Sequence, residues 1–198
     1  MRYSVLTLFL AILVIGCGGG QQVTRLDPGE TTDLSGKWNE TDARLTAQTM
    51  IADCLGRPWL INHVEKTGEK PIVTVGTIRN KTNEHIDTEI FTKDFERELI
   101  NSGSVRFVGS RDQRYEIRDE RQDQQEFASD ETRKKMREET GADYILLGAV
   151  KTITDQIEGS RTVFYQVDLE LINIESNEKI WIGTKKIKKG ISKSGHKW

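Results

Sequence analysis

The sequence predicts an α+β domain: a single mixed or antiparallel sheet of about five strands, with helices packed mainly on one side. Three observations predict it. Residues 162–174 (TVFYQVDLELINI) alternate, with Val163, Tyr165, Val167, Leu169 and Leu171 on one face and Gln166, Asp168 and Glu170 on the other. That is the period of a strand with one buried face. Residues 144–152 (YILLGAVKT) are a nearly unbroken apolar run, the mark of a central strand. Ala43, Ala47, Met50, Ile51, Cys54 and Leu55 recur at three- and four-residue steps, the stripe of a helix facing a core.

The elements follow in order. Arg2 and the apolar run at residues 5–15 (VLTLFLAILVI) form the charged and hydrophobic regions of a signal peptide. The run is too short to span a bilayer, which takes about 20 residues. Val14-Ile15-Gly16-Cys17 resembles the bacterial lipobox, with Gly16 and Cys17 flanking the signal-peptidase bond. Residues 1–16 are therefore expected to be removed, and Cys17 to carry covalent lipid. Several acyl chains, each burying about 0.8 kcal/mol per CH2, would make the attachment stable. Gly18, not Asp, follows the cysteine, the pattern of outer-membrane sorting. Residues 17–37 are rich in Gly, Thr, Gln and Asp and read as a flexible tether. As a coil of about 20 residues it would reach roughly 25 Å, with a ceiling near 70 Å.

Residues 38–198 then form the domain. A first helix is expected over Glu40–Leu55 with Thr41 as N-cap, ended by Gly56 and Pro58. Trp59, Leu60, Ile61 and Val64 suggest a short packed continuation. Residues 71–78 (PIVTVGTI) are β-branched and read as a strand, and residues 79–87 (RNKTNEHID) as a loop. Phe91, Phe95 and Leu99 mark a helix over residues 88–102, with Asp87 or Thr88 as its cap. Residues 105–108 suggest a short strand. Residues 111–125, nearly all charged or amide, read as a solvated helix or mobile loop. Residues 131–140 suggest a third helix closed by Gly141 at C′. After the strand at residues 144–152 come turn residues, the alternating strand, a tight turn at residues 175–178 and a last strand over residues 179–187.

Composition limits function. The net charge is −2, which offers no overall attraction to nucleic acid. Cys54 is the one cysteine besides Cys17, so no disulfide can form within the mature chain. His63, His85 and His196 show no metal-ligand spacing with a Cys or with one another. Cys54 falls on the apolar face of its helix, where a packed thiol is the expectation. No catalytic residue, metal ligand or cofactor is expected apart from the lipid on Cys17, and neither is a small-molecule substrate.

Residues 72–87 (IVTVGTIRNKTNEHID), residues 141–148 (GADYILLG) and residues 165–186 (YQVDLELINIESNEKIWIGTKK) carry a resemblance. Together with the lipobox, they resemble the LpoB family of lipoprotein activators of penicillin-binding proteins, over residues 41–189. The Gly-Ala-Asp-Tyr segment is also similar to the secretion pore protein CsgG and to the amino-terminal domain of TolB. The LpoB resemblance implies a monomeric, non-enzymatic regulator of peptidoglycan synthesis. It would hang from the outer membrane into the periplasm and contact a bifunctional penicillin-binding protein. The alternative is a structural subunit of a CsgG-like envelope secretion or assembly complex. A pore is disfavoured because Gln166, Asp168 and Glu170 would face lipid. The enteric members have a longer, Pro-rich tether, where this chain has Pro28 alone.

Two segments are candidate partner surfaces. One is the polar loop with Asn80, Thr82 and Asn83, which could equally be turn chemistry leading into a cap. The other is the basic run Lys185, Lys186, Lys188, Lys189, Lys193 and Lys197. Lysines on an edge strand also prevent sheet-to-sheet aggregation.

Overall fold

A computed structural model of the protein describes residues 23–27, 29–136 and 138–192. The signal peptide and Cys17 lie outside them, as do Lys193, His196, Lys197 and Trp198. The described residues from Thr31 to Ser192 form one compact unit. Its elements are α1 (Glu40–Leu55), α2 (Pro58–Thr67), β1 (Ile72–Lys81), α3 (Thr88–Asn101), β2 (Arg106–Phe107), α4 (Arg111–Phe127), β3 (Tyr144–Ile157), β4 (Ser160–Asn173) and β5 (Lys179–Ser192). The sheet order is β2-β1-β3-β4-β5. β1 runs parallel to β2 and β3, while β3, β4 and β5 form an antiparallel meander. The mixed sheet and the α+β class are as expected from the sequence.

β4 carries the core. Val163, Tyr165, Val167, Leu169 and Leu171 are each at most 2% exposed. Each such side chain contributes about 1.5–3 kcal/mol relative to exposure. Val73, Val75, Leu146 and Val150 extend this layer across the sheet, and Ala47, Ile51, Phe91, Phe95 and Leu99 of α1 and α3 cover it. The other sheet face carries no such layer. β3 is central, as its apolar run suggested, but only Tyr144, Leu146 and Val150 are buried; Ile145 and Leu147 lie half-buried on the opposite face.

Several boundaries differ from expectation, each for a local reason. α1 is capped by Asn39, not Thr41: the Asn39 side chain accepts from the Asp42 N–H, and Asp42 accepts from the Asn39 N–H. This reciprocal box satisfies two donors that a Thr41 cap would leave bare. β1 runs on to Lys81 because β3 supplies partners as far as Lys151. β3 and β4 continue to a two-residue turn at Glu158 and Gly159, where Gly159 takes φ 77°. Residues 111–127 are a helix, with a Ser110–Gln113 capping box and no buried residue. Tyr115 lies under the guanidinium groups of Arg111 and Arg118, 5.5 and 5.6 Å from the ring centre.

The helix expected over residues 131–140 does not form among the described residues. The described residues there form turns and irregular chain, so Gly141 closes no helix. The segment has charged helix formers but no apolar stripe; Met136, its one large apolar side chain, is 45% exposed. A helix there would bury nothing. It is pinned to α4 instead, where Arg118 and Arg121 bind Glu139 at 2.8 and 3.2 Å.

Lys189 is not a surface cation. It is 9% exposed, and its ammonium donates to Asp33 at 2.6 Å, to Asp42 at 2.5 Å and to the Lys37 carbonyl at 3.1 Å. Thus the last residues of the segment read as tether are docked on β5. Trp38 completes the strap: its ring meets Phe91 and Tyr165 edge-on at 5.7 and 5.6 Å, and its backbone N–H donates to Glu84. Burial alone would lower the Lys189 pKa, but the Asp33 and Asp42 carboxylates outweigh it and raise it. The bond from Lys189 holds the Asp33 carboxyl below its ordinary range.

Two predictions follow from this packing. A Cβ on Gly148 would stand 2.5 Å from Leu169 Cδ2 and 2.6 Å from the Asp168 carbonyl oxygen. Gly148→Ala is therefore expected to destabilise the domain by about 1–3 kcal/mol in urea unfolding, through overpacking against backbone. Lys189→Met keeps the aliphatic stem but leaves Asp42 buried without its cation, at a cost of about 3–5 kcal/mol. The wild-type advantage depends on pH. Asp33 is depressed when folded, so its share is present above its ordinary pKa of 3.8 and is lost as pH falls through its lower folded value. Lys189 is raised when folded, so its share is present below 10.5 and is lost as pH rises through the folded value. The gap in urea midpoint between wild type and Lys189→Met should hold between these limits and narrow on either side.

Candidate functional site

The loop after β1 is built from its own side chains. Asn80 Nδ2 donates to the Glu84 carbonyl at 2.8 Å, while its Oδ1 accepts from the Thr82 N–H and hydroxyl at 2.9 and 2.8 Å. Thr82 Oγ1 accepts from the Glu84 N–H at 3.0 Å. Asn80 and Thr82 are thus spent on turn geometry, while Asn83 and His85 are exposed and make none of these loop hydrogen bonds. Asp87 caps α3, accepting from the Glu89 N–H. Sequence reasoning passed over Glu84. Its carboxylate accepts from the Tyr165 hydroxyl at 2.7 Å as well as from Trp38, tying loop, strap and sheet together. Burial, and then Glu84, push the Tyr165 pKa up.

The uncovered sheet face is the most chemically distinctive surface. Strand register aligns Lys81, Lys151, Gln166 and Lys186 in one cross-strand row and Arg79, Ala149, Asp168 and Thr184 in the next. Between them lies a shallow groove of 310 Å³ with Arg79, Lys81 and Lys151 along one side and Asp168 and Glu170 along the other. Lys151 donates to Asp168 at 2.8 Å, Thr184 donates at 2.8 Å and Gln166 at 2.9 Å. Burial would raise the Asp168 pKa, but these three donors outweigh it and lower it. Lys179 occupies Glu170 at 2.9 Å. Both carboxylates are therefore committed to charge pairs. Among the described residues, Arg79, Lys81, Lys186 and Lys188 form no ion pair and are exposed.

The candidate lysines of β5 divide by strand alternation. Lys186 and Lys188 point out from the uncovered face, where they lie opposite Gln166 and Phe164. Lys185 is half-buried on the helix-covered side, opposite Val167. Asn80 stands level with Lys185 across the sheet, but β3 and β4 intervene, so about 14 Å of sheet separates them. The two candidate segments do not converge into one patch. Arg79 and Lys151 join the basic face instead. The parity of Lys151 was readable, but Arg79 reaches this face only through a register shift in β1 between Val75 and Ile78, which the sequence does not display.

A second groove, of 750 Å³, runs beside α2, past Trp59, His63, Tyr144 and Asn173. His63 Nδ1 lies 2.9 Å from the Tyr144 hydroxyl, and Trp59 donates to the Cys54 carbonyl at 2.7 Å. Cys54 is 1% exposed, and burial pushes its thiol pKa up to about 12. Such a thiol is inert. No group of three or more His, Cys, Asp or Glu with metal-binding geometry occurs among the described residues.

Comparisons with known proteins bear on this geometry. A family model described as peptidoglycan-synthase activator LpoB matches residues 42–187. No curated protein sequence matches. Among solved structures, an NMR structure of LpoB from E. coli is 18% identical, covering 84% of this chain and 80% of that one, with a TM-score of 0.41. The LpoB C-terminal domain from Salmonella enterica is 16% identical, covering 66% and 93%, with a TM-score of 0.36. A PelC dodecamer from Paraburkholderia phytofirmans is 16% identical, covering 61% and 73%, with a TM-score of 0.34. The likeness to CsgG and TolB is not confirmed by these comparisons. At such identities and TM-scores the solved structures add no weight, and the assignment rests on the family model, which runs from α1 into β5. The chain belongs to the LpoB family of peptidoglycan-synthase activators.

Proposed function

We propose that this protein is an outer-membrane lipoprotein, acylated at Cys17, whose periplasmic domain binds and activates a bifunctional penicillin-binding protein. The observation that carries the reading is the match of an activator family over residues 42–187, behind a lipobox in the same chain. Acylation at Cys17, the outer-membrane location and the boundaries 1–16, 17–37 and 38–198 are parts of this proposal. The regulator would act by contact. A bound domain that favours one conformation of the synthase raises that conformation's population by its differential affinity, with no chemistry of its own. The side chains support this: Asp168 and Glu170 are held in charge pairs and Cys54 is buried.

The test is a pull-down from detergent-extracted envelopes with the full acylated chain, followed by glycan polymerisation by the recovered protein. Recovery of a penicillin-binding protein and a faster polymerisation rate on adding the chain are expected. An unchanged rate at saturating chain would refute activation. Labelled palmitate should enter the wild type and not Cys17→Ser, which should leave the membrane fraction.

A further inference from the structure

We propose that the uncovered sheet face rests on the anionic leaflet that holds the Cys17 acyl chains, with the Ile157 end of the β3–β4 hairpin at the lipid interface. The inference rests on the lipid anchor proposed above. Three observations carry it.

The first is apolar. Ile153, Ile157 and Ile182 are 68%, 75% and 61% exposed on this face. Ile153 stands opposite Phe164, and Phe164 opposite Lys188, so an aliphatic and aromatic pair runs straight into a lysine. Ile153 also follows Lys151 on the same face, and exposed aliphatic groups beside long basic side chains suit a bilayer interface, where the stems lie along apolar surface and the charges reach headgroups.

The second is charge. Arg79, Lys81, Lys151, Lys179, Lys186 and Lys188 share this face with Asp155, Asp168 and Glu170, and Glu158 sits in the hairpin turn. The whole chain carries −2, so positive charge is concentrated on this side. Asp155 and Glu158 make electrostatic attraction weakest at the tip, so contact there rests on the apolar Ile157 while the cations act along the rest of the face. Basic residues near an anionic leaflet are attracted within a Debye length.

The third is where the chain enters the fold, and it separates lipid from an acidic protein as the occupant. Ser35 shares a hollow of 290 Å³ with Gln156, Ile157, Gly159 and Ile191. Asp33 is fixed to Lys189 nearby. The strap therefore joins the domain beside the hairpin end. Cys17 is sixteen residues before Asp33, a span of at most about 55 Å at full stretch. A lipid at Cys17 holds this end of the domain near its own bilayer at an effective concentration of order millimolar, so weak interfacial contacts suffice.

The experiment uses the full acylated chain carrying Ile157→Cys, labelled with an environment-sensitive fluorophore. Cys17 is blocked by its acyl chain and Cys54 is buried with its thiol protonated, so position 157 takes the label. The protein is reconstituted into phosphatidylethanolamine–phosphatidylglycerol vesicles and, separately, into phosphatidylcholine vesicles. Emission is expected to shift to the blue in the anionic vesicles alone. The shift should be lost in high salt and in Lys186→Glu/Lys188→Glu, and kept in Lys93→Glu on the helix-covered side. A label that stays in water while the protein floats with anionic vesicles overturns the inference and leaves the anchor standing. A protein that does not float with vesicles overturns the anchor, and the inference with it. A blue shift that appears only when a penicillin-binding protein is added assigns the face to that partner and overturns lipid docking.

Discussion

The structure depends on the register of β4. One strand is paired along its whole length on both sides, to β3 and to β5. Its odd-numbered side chains from Val163 to Leu171 build the core, and its even-numbered ones lie on the uncovered face. A slip of one residue would put Tyr165, Val167 and Leu169 into water and Gln166, Asp168 and Glu170 under α1 and α3. That exchange would lose about 1.5–3 kcal/mol of apolar burial for each side chain and strand carboxylates in the core. Everything else is arranged around this choice. Gly148 sits where β3 must approach Leu169 closely, and Gly183 sits beneath the Trp181 ring. The cation rows of the open face exist only because neighbouring strands hold the same level.

Periodicity made most of this legible. The alternation in β4, the apolar run of β3 and the stripes of α1 and α3 each report a face that must be buried, and burial is the dominant stabilising term. What was not legible depended on partners distant in sequence. The extension of β1 to Lys81 needs β3, and the lengths of the β3–β4 and β4–β5 hairpins depend on each other. The helix expected over residues 131–140 shows the reverse case: local propensity favoured it, but no apolar stripe repaid the ordering of the chain. Residues 111–127, equally poor in apolar groups, gained their helix from a capping box and a short ladder of Arg–Tyr contacts.

The site was less legible than the fold. Lysines at residues 185–189 read as one basic run, but alternation sends Lys186 and Lys188 to solvent, Lys185 to the covered side and Lys189 inward to two carboxylates. A sequence shows charge but not its pairing. Lys189 is the clearest example, because its partners lie 156 and 147 residues away. Asn80 and Thr82 were chosen for their polarity, and that polarity is consumed by the loop itself. Glu84, between them and α3, does the long-range work.

The Lys189 clamp also bears on reach. If Asp33 is held against β5, the linker available to the anchor ends sixteen residues after Cys17 and not at Lys37. A coil of that length has an r.m.s. span of about 22 Å. On the anchor proposed at Cys17, the domain would be confined to a thin layer beside that membrane, and a partner rooted elsewhere would have to extend to meet it. Releasing the strap would return the residues between Asp33 and Asn39 to the linker, but it would strip Lys189 of the Asp33 carboxylate and the Lys37 carbonyl and remove Trp38 from Phe91 and Tyr165. That loss outweighs the modest gain in reach from half a dozen residues, because coil span grows only as the square root of length. Docking of the strap thus fixes where the chain enters the fold, and under the proposed anchor it would set the reach of the domain.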